Sequence, residues 1–227
     1  MAEEEKVSVT PGVVVEFDYT AIDGSQILFD VAKKTLARLG VDLTVKLEAK
    51  HLVGGNYQGG LRELFSDLEI ATDATVVAHE LSTSFKAALT EACVAAVTPD
   101  FKAFVKALTE RGVKVVIATR ANLDVLRPAV ADLDPKRVVL YTEVSGTYGN
   151  CKWDAWRRAF TQNDLMDMFT VAVTGSGKGV KSALVAGLSV IAVEHDHVAY
   201  QDFGGADALV RTLDAKVAAK ILRMLHA

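Results

Sequence analysis

A chain of 227 residues, half of them apolar and 24% charged, is long enough for one large domain or for a core with a small second domain. A net charge of -4 at pH 7 and a pI near 5.8 argue against non-specific nucleic-acid binding, which relies on basic patches. No stretch approaches the ~18 uncharged apolar residues of a spanning helix, so no membrane partner is expected.

The acidic start Met1-Ala2-Glu3-Glu4-Glu5-Lys6 has no apolar signal core. The two cysteines, Cys93 and Cys151, make neither a disulfide framework nor a metal-ligand set. A cytoplasmic protein is therefore expected. In chain order, residues 12–18 read as a buried strand, because the run Val13-Val14-Val15-Glu16-Phe17 is mostly β-branched and apolar. Residues 26–39 read as a helix, with Ile27, Leu28, Val31, Leu36 and Leu39 as its apolar stripe and Gly40 as its stop. The helical pattern continues to about residue 92, broken by the loop Gly54-Gly55-Asn56-Tyr57-Gln58-Gly59-Gly60.

After Pro99 the rhythm changes. Phe101, Phe104, Val105 and Leu108 have helical spacing closed by Gly112, and residues 114–119 read as a strand. Leu123, Leu126, Val130 and Leu133 mark a helix, residues 137–141 a strand, 152–161 a helix and 170–173 a strand. Residues 179–186 read as a helix, 189–193 as a strand, and the chain ends helical through Val217, Ile221, Leu222 and Leu225. Strands alternating with helices predict a three-layer, Rossmann-like α/β parallel sheet built from residues 8–25 and 93–227, with a helical insertion at 26–92. Ligands of such sheets sit at the carboxyl ends of the strands. Asp18, Thr119 and the loop Thr174-Gly175-Ser176-Gly177-Lys178-Gly179 belong to that edge.

Each of these residues has two readings. Asp18 is either a reactive carboxylate or a turn cap; Thr119 is an anion ligand, a helix cap, or both. Lys152 is a site cation or a solvated first-turn lysine. The glycine loop follows a strand and opens a helix, so its backbone N–H groups can nest an anion with Lys178 as counter-charge. Alternatively, the glycines make a tight turn while Lys178 points to water. A Walker A loop is excluded, because its glycine positions hold Thr174 and Val180. His195-Asp196-His197 offers only two imidazoles, too few for a metal site. Trp153, Trp156 and Phe160 at helical spacing read as core.

The order strand-end Asp18, strand-end Ala118-Thr119-Arg120, Asn150-Cys151-Lys152 and the Gly175–Gly179 loop resembles the haloacid dehalogenase superfamily of hydrolases. The branch is that of phosphoglycolate phosphatase and β-phosphoglucomutase, and Gly205-Ala206-Asp207 fits it too. The resemblance implies Asp18 as nucleophile, Thr119 and Lys152 as phosphoryl supports, and residues 26–92 as a cap in which His51, Gly54, Gly55 and Asn56 face substrate. It also implies Mg²⁺, but Thr20 stands where the general acid belongs and Gly175 where the metal-binding aspartate belongs. No cofactor is therefore expected. Thr20, Arg120, Gly175, Ser176, Gly177 and Lys178 remain as candidate ligand contacts. Three functions follow: a degraded phosphatase-type hydrolase holding a small phosphorylated or carboxylated metabolite, a metal-independent 2-haloacid dehalogenase, or a non-catalytic binding protein.

Overall fold

The computed structural model describes residues 10–52, 57–142 and 153–225. Gly54, Gly55, Asn56 and Lys152 lie outside the described residues, as do Asn150 and Cys151. The centre of the molecule is β1 (Gly12–Glu16), which pairs in parallel with β2 (Lys114–Ala118) on one side and β4 (Thr170–Thr174) on the other. With β3 (Val138–Tyr141), β5 (Ser189–Val193) and β6 (Ala208–Val210) the order is β3-β2-β1-β4-β5-β6, parallel throughout. The valines of β1 alternate between two buried faces. Val13 and Val15 join one apolar cluster, while Val14 packs with Trp156, Phe160 and Val180 in another. Burial on both sides is what a central parallel strand requires. The strand at β6 has no counterpart in the sequence reading: three residues carry too little pattern to detect.

The register aligns the strand ends, with Glu16 opposite Ala118 and Val15 opposite Val173. Thr119 and Thr174 consequently finish their strands beside the end of β1. The sequence reading carried the first strand to Asp18, but the chain turns two residues earlier into α1 (Phe17–Thr20). Thr20 closes that turn by donating its hydroxyl to the Glu16 carbonyl at 2.9 Å, while the buried Phe17 ring packs edge-on against Phe101 at 5.2 Å.

Between β1 and β2 lie α2 (Gly24–Ala37), α3 (Val45–His51), α4 (Tyr57–Asp67) and α5 (Ala74–Ala92), packed on one another. Asp23 caps α2 by accepting from Gln26 N at 3.1 Å. The glycine loop expected to run to Gly60 becomes helical at Tyr57. Gly60 permits the close crossing of α3 and α4, because a Cβ there would lie 1.6 Å from the His51 carbonyl oxygen. This insertion does not enclose a core of its own: Tyr57, Leu61, Phe85 and Leu89 belong to the same apolar cluster as Val13, Val15 and Phe17.

Polar ties add to that cluster. Asn122 N donates to Thr90 Oγ1 at 3.0 Å, and Glu48 of α3 meets His197, beyond β5, at 2.8 Å. Burial raises the Glu48 carboxyl above the ordinary glutamate value, with the His197 contact pulling it down and Asp30 adding to the rise. A carboxyl raised in the folded state contributes stability that is complete below its unfolded pKa and lost as pH climbs through the folded value. Glu48→Gln is therefore expected to be level with the wild type in acid and progressively more stable as pH rises above the ordinary glutamate range. Urea unfolding of both proteins across pH checks this, and a pH-independent difference would contradict it.

After α6 (Pro99–Thr109), capped by Thr98 and started by Pro99, the chain enters β2. The helix expected across 123–133 ends early. An α-helix, α7 (Leu123–Leu126), gives way to a 3₁₀ turn over Arg127–Val130, since Pro128 has no N–H to donate to the carbonyl four residues back. The remaining helices are α8 (Trp153–Thr161), α9 (Gly177–Val185) and α10 (Ala215–Leu225). Among the described residues no helix is long and apolar enough to cross a membrane.

Candidate functional site at the carboxyl edge of the sheet

Asp18 projects from α1 to the end of β2, its side chain only 4% exposed. Its Oδ1 accepts from Thr119 Oγ1 at 2.5 Å, and its Oδ2 accepts from Arg120 N at 2.9 Å and Arg120 Nε at 3.1 Å. Thr119 is held one step past β2 because its N–H donates to the Tyr141 carbonyl at 3.0 Å. Its hydroxyl also accepts from Ala121 N at 3.0 Å. Three donors thus converge on one carboxylate.

The sequence marks Arg120 as a candidate ligand contact; in the structure its guanidinium forms an ion pair with Asp18. Its guanidinium lies 5.2 Å from the Tyr19 ring centroid and 4.9 Å from that of Phe85, between α1 and α5. Each such cation–π contact contributes about 0.5–2 kcal/mol, more as water is excluded. Tyr57, the first residue of α4, lies against the same guanidinium. Burial pushes both phenols above their ordinary range, against the opposing pull of Arg120. Tyr19 and Tyr57 are each 2% exposed, and among the described residues neither hydroxyl makes a hydrogen bond of good geometry, although both lie near the guanidinium.

The third converging stretch meets β1 differently. Thr174 Oγ1 donates to Glu16 Oε2 at 2.5 Å, tying two buried strand ends. Glu16 was not singled out from the sequence, although it is the one charged residue in a run of valines, which was the available signal. Gly175 sits directly against α1: a Cβ there would fall 1.5 Å from the Tyr19 carbonyl oxygen. Ser176 caps α9, accepting from Gly179 N at 3.0 Å, and Gly177 N donates to Gln201 Oε1 at 2.9 Å. These two loop N–H groups are therefore already engaged by protein acceptors. Lys178 is exposed, and the buried Thr20 hydroxyl is engaged with the Glu16 carbonyl.

His195 and His197 do not share a site. His197 faces Glu48, whereas His195 Nε2 is buried with no hydrogen-bond partner among the described residues. Among the described residues no group of three or more His, Cys, Asp or Glu is placed to hold a metal ion. Trp156 and Phe160 are core, as their spacing predicted.

No protein-family model and no curated protein sequence matches the chain. Its likeness is to solved structures. CbbY from Rhodobacter sphaeroides, solved with phosphate, is 17% identical with a TM-score of 0.66, over 92% of this chain and 96% of that one. β-Phosphoglucomutase from Clostridium difficile is 10% identical with a TM-score of 0.71, over 96% and 97% of the two chains. A haloacid dehalogenase-like protein from Agrobacterium tumefaciens is 17% identical with a TM-score of 0.63, over 94% and 98%. Across nearly its whole length, then, the chain has the fold of haloacid dehalogenase-like hydrolases: a parallel sheet with helices inserted after its first strand.

Proposed function

We propose that this is a phosphatase-type member of the haloacid dehalogenase superfamily that binds a small phosphorylated or carboxylated metabolite without Mg²⁺-dependent hydrolysis. The observation that carries this reading is the Arg120 guanidinium on Asp18, with Thr119 on the other oxygen. A carboxylate nucleophile needs an oxygen free to reach its target, and here both already accept from near donors. Mg²⁺ prefers octahedral oxygen coordination, usually with one or two carboxylates among its ligands. Asp18 is committed to Arg120, Glu16 to Thr174, and the place of a further carboxylate is Gly175, closed by the Tyr19 backbone. The residues present do not fit that ion. Thr20 supplies no proton at neutral pH, which forfeits the roughly 10²–10⁴-fold of positioned acid–base catalysis.

In this reading residues 26–92 act as a cap on the core of 8–25 and 93–227. Lys152, Gly54, Gly55 and Asn56 stay candidate anion contacts that lie outside the described residues, and the Gly175–Gly179 turn stands at the same sheet edge as Asp18. The solved likeness of the fold to a phosphate-bound CbbY supports an anion as guest. A panel of phosphomonoesters and 2-haloacids, assayed with Mg²⁺ and with chelator, is expected to show no turnover. Mg²⁺-dependent turnover abolished in Asp18→Asn would refute the reading. Metal-independent halide release would install the dehalogenase alternative instead.

A further inference from the structure

The surroundings of Arg120 hold more hydrogen-bond donors than acceptors. A guanidinium carries five N–H groups and no acceptor, and a phenol carries one O–H. Of the Arg120 side-chain groups, Nε is taken by Asp18, and the acceptors near the remaining N–H groups are the neutral phenol oxygens of Tyr19 and Tyr57, which carry no charge to match the cation. The Tyr19 and Tyr57 oxygens lie near the same guanidinium and near each other, both are excluded from water, and among the described residues neither makes a hydrogen bond of good geometry. Buried polar groups in folded proteins are nearly always satisfied, and two neighbouring exceptions with the same need point to a missing acceptor. The two phenols come from different elements, α1 and α4, so the shortage is shared between the sheet edge and the insertion. The Arg120 side chain is 30% exposed, which gives the site a route to solvent.

Resting on the reading that the site holds a small anion, we infer that Arg120, Tyr19 and Tyr57 form a carboxylate site, in which one carboxylate group accepts from the outer edge of the guanidinium and from both phenols. The planar fork of an arginine matches a carboxylate in two parallel hydrogen bonds. Charge selects against a phosphate dianion. Asp18 already neutralises the guanidinium and Glu16 lies close enough to act on Tyr19, so a second negative charge adds repulsion without adding a donor. No covalent step is involved.

The test is calorimetric titration and thermal unfolding of the full chain with short carboxylates (acetate, glycolate, pyruvate, succinate) and with inorganic phosphate at matched ionic strength. Wild type is compared with Tyr19→Phe, Tyr57→Phe and the double variant. At least one carboxylate is expected to bind and raise the Tm, and each Phe substitution to weaken it about tenfold, as loss of a hydrogen bond to a charged acceptor does. The unliganded variants are expected to be as stable as wild type or more so, because each removes an unsatisfied hydroxyl. Equal carboxylate affinity in the double variant, or destabilised Phe variants without ligand, would overturn the site. Stabilisation by phosphate alone would defeat the carboxylate assignment and leave anion binding intact; stabilisation by neither anion would sink both.

Discussion

Arg120→Ala is expected to be among the most destabilising single substitutions in the protein, at about 3–5 kcal/mol, the cost of removing one partner from a buried ion pair. The carboxylate it leaves behind is 4% exposed and, among the described residues, retains the Thr119 hydroxyl and the residue-120 backbone N–H as donors. The loss also removes the guanidinium from between Tyr19 and Phe85. Against a typical total stability of about 5–15 kcal/mol, such a change moves a urea midpoint unmistakably. The diagnostic control is the double variant Asp18→Asn with Arg120→Met. Taking the charge off both sides is expected to recover a large part of the loss, and the coupling energy of the double-mutant cycle measures the pair directly. If Arg120→Ala were as stable as the wild type, the ion pair would not be the organising contact of this edge.

Gly175→Asp is expected to fail as a restoration of the missing acid. A Cβ at this position would fall 1.5 Å from a backbone oxygen of α1, and a carbonyl in a hydrogen-bonded turn cannot swing aside as a side chain can. We expect a loss of about 3 kcal/mol, the upper end of ordinary overpacking. Gly175→Ala should lose nearly as much, which separates the steric cause from the added charge. Neither variant is expected to gain Mg²⁺-dependent thermal stabilisation or turnover. A well-folded Gly175→Asp protein that binds Mg²⁺ would show that α1 yields, and would reopen the chemistry excluded above.

Much of this architecture was legible in one sequence. The valines of β1, the helical spacing of α6 and the run of β2 each carry their own periodicity, and the alternation of strand and helix places Asp18 and Thr119 at one edge. The helical turn after Glu16 was not legible, because it depends on the Thr20 hydroxyl reaching back to a carbonyl and on Phe17 finding Phe101. Arg120 was flagged only as a ligand contact. That its guanidinium would fold onto Asp18 follows from aromatic rings contributed by residues 19 and 85, a relation between distant segments that no local pattern records. Glu16 is illegible for the opposite reason: a single charge inside so clear a strand pattern reads as part of the strand. Whether Lys152 joins Asp18 lies outside the described residues.

The single apolar mass shared by the inserted helices and the sheet has a kinetic corollary. Helices α2–α5 cannot swing outward as a rigid flap without exposing Tyr57, Leu61, Phe85 and Leu89 to water together, at roughly 1.5–3 kcal/mol for each large side chain. If the proposed anion binds, it should therefore come and go through small side-chain excursions around residue 120, whose side chain is 30% exposed.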